Sequence, residues 1–161
     1  MKKCQTLRNR AEVSDTFFWL IATVGGIGYA PASGTIASAV AAALWWYAPP
    51  LSPGAQWLAA GAVTLIGLWA SGPVAKRAGD HDPHIVVIDE VAGMWLALAG
   101  APRTLPVLIV AFAFFRLFDI GKWTPMKQLE RLPGAAGIMM DDVAAGLIAR
   151  ALLALSLPWL P

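Results

Sequence analysis

Five apolar runs fill about half of this chain, and the segments outside them hold most of its charge. The runs cover residues 36–48, 55–74, 85–101, 105–118 and 143–157. They are continuous blocks rather than the one-sided stripes of helices that face water. Charged residues make up only 14% of the 161, against roughly 25% in an average soluble domain. The expected fold is therefore all-α: one compact multi-helix membrane domain of about five apolar helices, preceded by a polar tail over residues 1–15. Residues 16–29 are apolar but broken by Gly25, Gly26 and Gly28, and they run on into Pro31. That stretch reads as a short helix followed by a re-entrant or surface loop.

A complete crossing needs about 20 apolar residues, and only the run over 55–74 meets that comfortably. The short runs support the competing reading, a soluble helical domain with a large core. The charge distribution opposes it. With five spans and the N-terminus inside, the inner segments hold Lys2, Lys3, Arg8, Arg10, Lys76, Arg77, Arg116, Lys122, Lys127 and Arg131. The two outer loops hold only Arg103, and Arg150 lies two turns into the last run. This is the positive-inside pattern. It makes the chain a multi-pass membrane protein with its polar side facing the cytoplasm. All ten acidic residues share that side. The positive-inside rule does not explain their placement, whereas a catalytic face does.

Other classes are excluded or demoted. A net charge of +2 implies no surface for nucleic acid. The single cysteine, Cys4, permits no internal disulfide. Cys4 and Arg10 match the spacing of cysteine-based phosphatases, but the residues between them contain no glycine to cradle a phosphate. His81 and His84 are three apart, and one such pair is thin support for zinc. The eight tryptophans are expected at interfaces or in the core, with Trp45, Trp46 and Trp159 at outer ends.

Two clusters remain. The first is Asp80-His81-Asp82-Pro83-His84, followed by Asp89-Glu90 inside an apolar run. A carboxylate at mid-membrane costs on the order of 3 kcal/mol, so such a pair is expected to face a partner or a metal. Its competing role is as the capped end of a helix. The second cluster holds Arg116, Asp119 and Lys122, three residues apart in turn, and then Asp141-Asp142 ahead of an apolar run. N-capping accounts for one aspartate of that pair. Carboxylate ligands without cysteine suit Mg²⁺, which binds a few carboxylates, waters and substrate phosphate. Arg116 and Lys122 suit phosphate oxygens. Gly34-Thr35 ahead of a helix offers backbone N–H groups to an anion. Together these predict metal-assisted phosphoryl transfer on one side of the membrane.

At these residues the chain resembles the phosphatidylglycerophosphatase A family. The matching stretches are Ser33-Gly34-Thr35, His81-Asp82, Ile88-Asp89-Glu90 with Gly93-Met94-Trp95, Phe115-Arg116 with Asp119 and Lys122, Pro125, and Gly137-Ile138-Met139 through Asp141-Asp142 to Gly146. They cover about residues 20–155. The departures lie in loops: Lys122-Trp123-Thr124-Pro125 where the family has Lys-Pro-x-Pro, Gly134-Ala135 where it has two glycines, and Glu130 where it commonly has aspartate. Two loops also look one residue short. The resemblance implies a Mg²⁺-dependent phosphatase that takes the terminal phosphate from phosphatidylglycerophosphate and leaves phosphatidylglycerol.

On that reading Asp89, Glu90, Asp141 and Asp142 are the expected metal ligands, with Asp82 a weaker fifth. Arg116 and Lys122 would hold the phosphate and stabilise the transition state. Gly34 and Thr35 would contact the phosphate, His81 would protonate the leaving alkoxide, and Asp119 would orient Arg116 or position water. Attack by water and attack by a carboxylate both stay open, as does the oligomeric state. One rival is a phospholipid-headgroup transferase, but the D-G-x-x-A-R pattern of the CDP-alcohol phosphotransferases is absent. The other is a small transporter or ion-binding protein that uses Asp89 and Glu90 as intramembrane carboxylates. It requires ionisable groups at mid-span on several helices.

Overall fold

A computed structural model describes residues 16–80, 82–121 and 123–160. The polar tail over 1–15, with its four basic residues and Cys4, lies outside the described residues, as do His81 and Lys122. Among the described residues the chain is helical throughout, with no strand. Helix α1 covers residues 16–22, and after turns and a 3-10 segment at Ile27–Tyr29 come α2 (Ser33–Tyr47), α3 (Pro53–Ala78), α4 (Ile88–Leu98), α5 (Leu105–Gly121), the four-residue α6 (Met126–Leu129) and α7 (Ala135–Ser156). The broken apolar stretch after residue 16 is thus a short helix and a turn-rich loop, as its glycines suggest.

Local chemistry sets the ends. Proline at positions 49 and 50 stops α2. Ser52 caps α3 by accepting from Ala55 N at 3.3 Å, Pro53 occupies its first turn, and Gly79 closes it in the left-handed conformation. The helix continues through Pro73 to Ala78, four residues beyond the apolar run.

Helix α4 is the central element. Its 11 residues are nearly all buried, and it packs on α2, α3, α5 and α7. It is shorter than the apolar run over 85–101, because Ile85, Val86 and Val87 stay outside the helix. Val87 N instead donates to Ala22 O at 2.9 Å, which ties the entry of α4 to the end of α1. The crossing of α4 with α7 depends on missing side chains. A Cβ on Gly146 would collide with the carbonyl oxygen of Gly93, and a Cβ on Gly93 with the ring of Phe115.

The five longer helices alternate in direction, which leaves two chemically different ends. One end gathers the start of α2, the end of α3, the start of α4, the end of α5 and the start of α7, together with every described acidic residue. The other end carries Arg103 and Arg150. Arg103 donates to Ala48 O at 2.7 Å and stacks on the buried Trp45 ring at 5.0 Å, and Arg150 donates to Ala99 O at 2.6 Å. Both cations thus satisfy carbonyls where α2 and α4 finish. Trp45 is core rather than an interfacial anchor.

The expectation of five membrane crossings is corrected in part. Among the described residues, only α3 is long and apolar enough to cross a membrane. Helices α2, α4 and α5 have 15, 11 and 17 residues. Helix α7 has 22, but Asp141, Asp142 and Arg150 interrupt it.

Candidate active site

A cavity of about 700 Å³ opens at the acidic end. Its wall comes from four places in the sequence: Ser33 to Thr35 at the start of α2, Asp82 and His84 in the loop before α4, Asp89 and Glu90 in the first turn of α4, and Arg116 with Asp119 from α5. Asp141 and Asp142 of α7 complete it. The structure therefore brings together Gly34, Thr35, Asp82, Asp89, Glu90, Arg116, Asp119, Asp141 and Asp142. The positions proposed for His81 and Lys122 are not described.

The two acidic pairs reach the cavity by different routes. Asp89 and Glu90 sit where the positive end of the α4 dipole favours anions, and Asp89 Oδ1 accepts from Glu90 N at 3.1 Å. Val87 occupies the cap position of α4, so Asp89 does not cap the helix. Asp141 and Asp142 do not cap a helix either. Helix α7 begins at Ala135, eight residues before the apolar run, so both lie two turns inside it and are buried. The stretch Gly137-Ile138-Met139, ahead of the apolar run, is helix packed into the core.

One carboxylate oxygen from each of Asp89, Glu90 and Asp142 lies within 4.8 Å of the others. Burial raises the Asp89 carboxyl well above its ordinary range, and the charges of Glu90 and Asp142 add to this. Burial also raises Asp142, with Asp119 and Glu90 beside it. Glu90 is raised by burial as well, opposed by its hydrogen bond with Asp89 and, more weakly, by Arg116. Three ionised carboxylates this close would repel by roughly 3 kcal/mol per pair at an effective dielectric of about 20. Glu90 Oε2 is buried and has no hydrogen-bond partner among the described residues.

Arg116 is the one described lysine or arginine that lines the cavity, against six carboxylates. It is tightly held. Nη1 pairs with Asp119 Oδ2 and donates to the buried Ser38 Oγ at 3.3 Å, and Nη2 donates to Thr35 Oγ1 at 3.1 Å. Ser38 in turn donates to Gly34 O at 2.8 Å. Thr35 is thus engaged with the guanidinium. Gly34 leaves room for a carboxylate, since a Cβ there would collide with Glu90 Oε1.

Ser38 and His84 were not singled out from the sequence. Ser38 had a signal, because the aliphatic hydroxyls of α2 all fall in its first two turns. His84 had none beyond its rejected pairing with His81. Ser33 Oγ donates to His84 O at 3.3 Å, which joins the loop to α2 at the cavity mouth.

The model of the Phosphatidylglycerophosphatase A family matches residues 20–157, a span that includes every wall of this cavity. The chain belongs to that family. Its curated relatives include Phosphatidylglycerophosphatase A of Escherichia coli, 34% identical over 143 residues, covering 84% of this chain and 81% of the relative. The protein of the same name from Haemophilus influenzae is 37% identical over 87 residues, 53% of each chain. A Bacteroides thetaiotaomicron protein, provisionally named a phosphatidylinositol-3-phosphatase, is 36% identical over 147 residues, covering 85% of this chain and 91% of that protein. No solved structure matches the chain.

Proposed function

We propose that this protein hydrolyses the terminal phosphate monoester of phosphatidylglycerophosphate, giving phosphatidylglycerol and inorganic phosphate. The observation that carries the reading is the facing of Asp89, Glu90 and Asp142 with Arg116 in one cavity of a member of this family. A cavity with six carboxylates and one described guanidinium repels a phosphate dianion unless a cation enters with it.

The residues fit a divalent cation. One hard oxygen from each of three side chains lies within 4.8 Å of the others, the donor type that Mg²⁺ takes, and Glu90 Oε2, without a hydrogen-bond partner among the described residues, supplies an acceptor. Asp89, Glu90 and Asp142 would hold Mg²⁺, with Asp141 and Asp82 on the same wall. Bound there, the ion supplies positive charge for the phosphoryl oxygens and a site for water. Arg116 binds non-bridging phosphate oxygens, and Asp119, Thr35 and Ser38 fix its direction. The P–O bond to the glycerol breaks as water or a carboxylate attacks phosphorus. His81 protonates the leaving oxygen, and Lys122 adds a second cation to the phosphate.

Membrane attachment follows from the surface. Helix α3 crosses the bilayer and packs on α4 and α7, while α2 and α5, whose outward Leu44, Leu105, Ile109 and Leu117 are apolar, reach across where the bilayer thins. The cavity then faces the cytoplasm at the inner membrane, in line with the basic residues at its end. The transport reading is disfavoured, because the described carboxylates share one end of the bundle.

The test is Mg²⁺-dependent phosphate release by the purified protein. Phosphatidylglycerophosphate is the expected substrate. Phosphatidylinositol 3-phosphate serves as comparison, since the curated relatives differ in that headgroup. Normal turnover by both Asp89→Asn and Asp141→Asn would overturn the metal assignment. No release from either lipid would overturn the phosphatase.

A further inference from the structure

A second cavity, of about 530 Å³, lies between α2 and α5 and is lined by apolar side chains, apart from the Tyr47 phenol. We infer that it is the acyl-chain track of the phospholipid substrate; the inference rests on the phosphatase reading above.

The argument is one of register. On α2 the cavity is lined by Ala39, Ala42, Ala43, Trp46 and Tyr47, a single helical stripe. One turn before Ala39 the same stripe reaches Thr35. On α5 the lining stripe runs Leu105, Leu108, Ile109, Phe112, Ala113, and one turn later it reaches Arg116. Thr35 and Arg116 hydrogen-bond to each other at 3.1 Å and both line the polar cavity. The apolar groove therefore begins where the phosphate site ends, and both stripes change from polar to apolar at the same level.

Chemistry and length agree on the occupant. From Ala39 to Tyr47 the groove follows α2 for about 12 Å at 1.5 Å per residue, and Thr35 lies about 6 Å before it. One leaflet of a bilayer offers roughly 15 Å of hydrocarbon. Three alanines floor the groove on α2, and Phe112 with Trp46, both half-buried, form its sides. A second copy of this chain could fill an apolar groove, but nothing would require that interface to start at the phosphate-binding arginine. A lipid whose terminal phosphate sits on Arg116 has its chains a headgroup glycerol, a phosphodiester and a glycerol backbone away, which brings them to the groove that opens one turn beyond Thr35 and Arg116.

Ala43 and Ala113 are exposed, so Ala43→Phe and Ala113→Phe fill the groove without entering the core. Each variant is assayed on a long-chain phosphatidylglycerophosphate in mixed micelles and on the water-soluble dibutanoyl form. With the long-chain lipid, kcat/KM should fall at least about tenfold, since each methylene denied burial costs roughly fourfold. With the short-chain form it should hold within about twofold. Phe112→Ala, which widens the groove, should shift preference toward bulkier chains. A long-chain lipid with a terminal diazirine should label wild type at Tyr47 and Leu105.

Equal loss on both substrates, no loss on either, or label spread over the outer face of α3 would overturn the inference. So would a change from dimer to monomer in the filled variants, which assigns the groove to a second copy. If wild type releases no phosphate from any lipid, the phosphatase reading itself fails. If it turns over both forms and the variants match it, only the acyl track fails.

Discussion

The substitution Gly34→Ala adds one methyl group and is expected to remove most of the activity. Its Cβ would occupy the place of Glu90 Oε1, so the carboxylate must turn away from Asp89 and Asp142. Displacements near 1 Å at a reacting centre cost about 100-fold, and kcat should fall by that order while the melting temperature changes little. Asp142→Asn should separate stability from function. It removes a buried like charge, so the metal-free protein should melt higher, by roughly 2–4 °C per kcal/mol gained, while Mg²⁺ no longer stabilises it. The raised carboxyls of Asp89, Glu90 and Asp142 also fix a pH trend. The unfolded chain ionises near pH 4, and the folded, metal-free chain does so only higher. Stability is therefore fullest below about pH 4 and is lost as pH rises through the folded values. Thermal melts in chelator should fall over that range, and Mg²⁺ should restore more at pH 8 than at pH 5. A flat profile would mean that these carboxylates are not packed together. The acidic residues themselves were legible, because charge inside apolar runs is costly. The clamp on Arg116 was not, since Thr35 and Ser38 lie about 80 residues from it in sequence.

Among the elements, α4 and α7 show where apolar runs mislead. Hydropathy marks burial, not helicity, and Val86 and Val87 are buried yet lie outside α4, because Val86 N closes a turn on Pro83 O and Val87 N pairs with Ala22 O of α1. The converse holds at α7, where Asp141 and Asp142 break the hydropathy signal but not the helix, since two buried aspartates cost little backbone order when a site needs them. Turn residues are better guides: the proline pair at 49–50 ends α2 and Gly79 ends α3. The α4–α7 crossing gives a test at this scale. Gly146→Val would press a side chain onto the Gly93 carbonyl, and overpacking of that kind costs about 1–3 kcal/mol. Gly61→Val, on a face of α3 with open space, should cost far less. Equal melting temperatures for the two variants would show that the helices do not meet as described.

At the scale of the whole molecule, the uneven charge has two sources. The acidic end is a site, and the two cations at the far end are helix caps: Arg103 closes α2 and Arg150 closes α4. Between the ends the surface is apolar. On α3, Leu58 and Leu65 are 76% and 68% exposed, and Trp69 is also exposed. A soluble protein rarely shows so long an apolar strip, and the proposed membrane arrangement places this outer face of α3 against lipid. Two measurements check this. Alkaline carbonate should leave the wild-type protein in the membrane pellet, and its release would overturn the embedded arrangement. Leu65→Arg places a cation near the middle of α3, where insertion costs roughly 2.5–3.5 kcal/mol. Since Leu65 faces away from both cavities, that variant should insert poorly, yet whatever fraction inserts should keep the wild-type KM. A wild-type yield in membranes would mean that α3 does not face hydrocarbon, and the shortness of its neighbours would then mark a helical core rather than a site built into the edge of a bilayer.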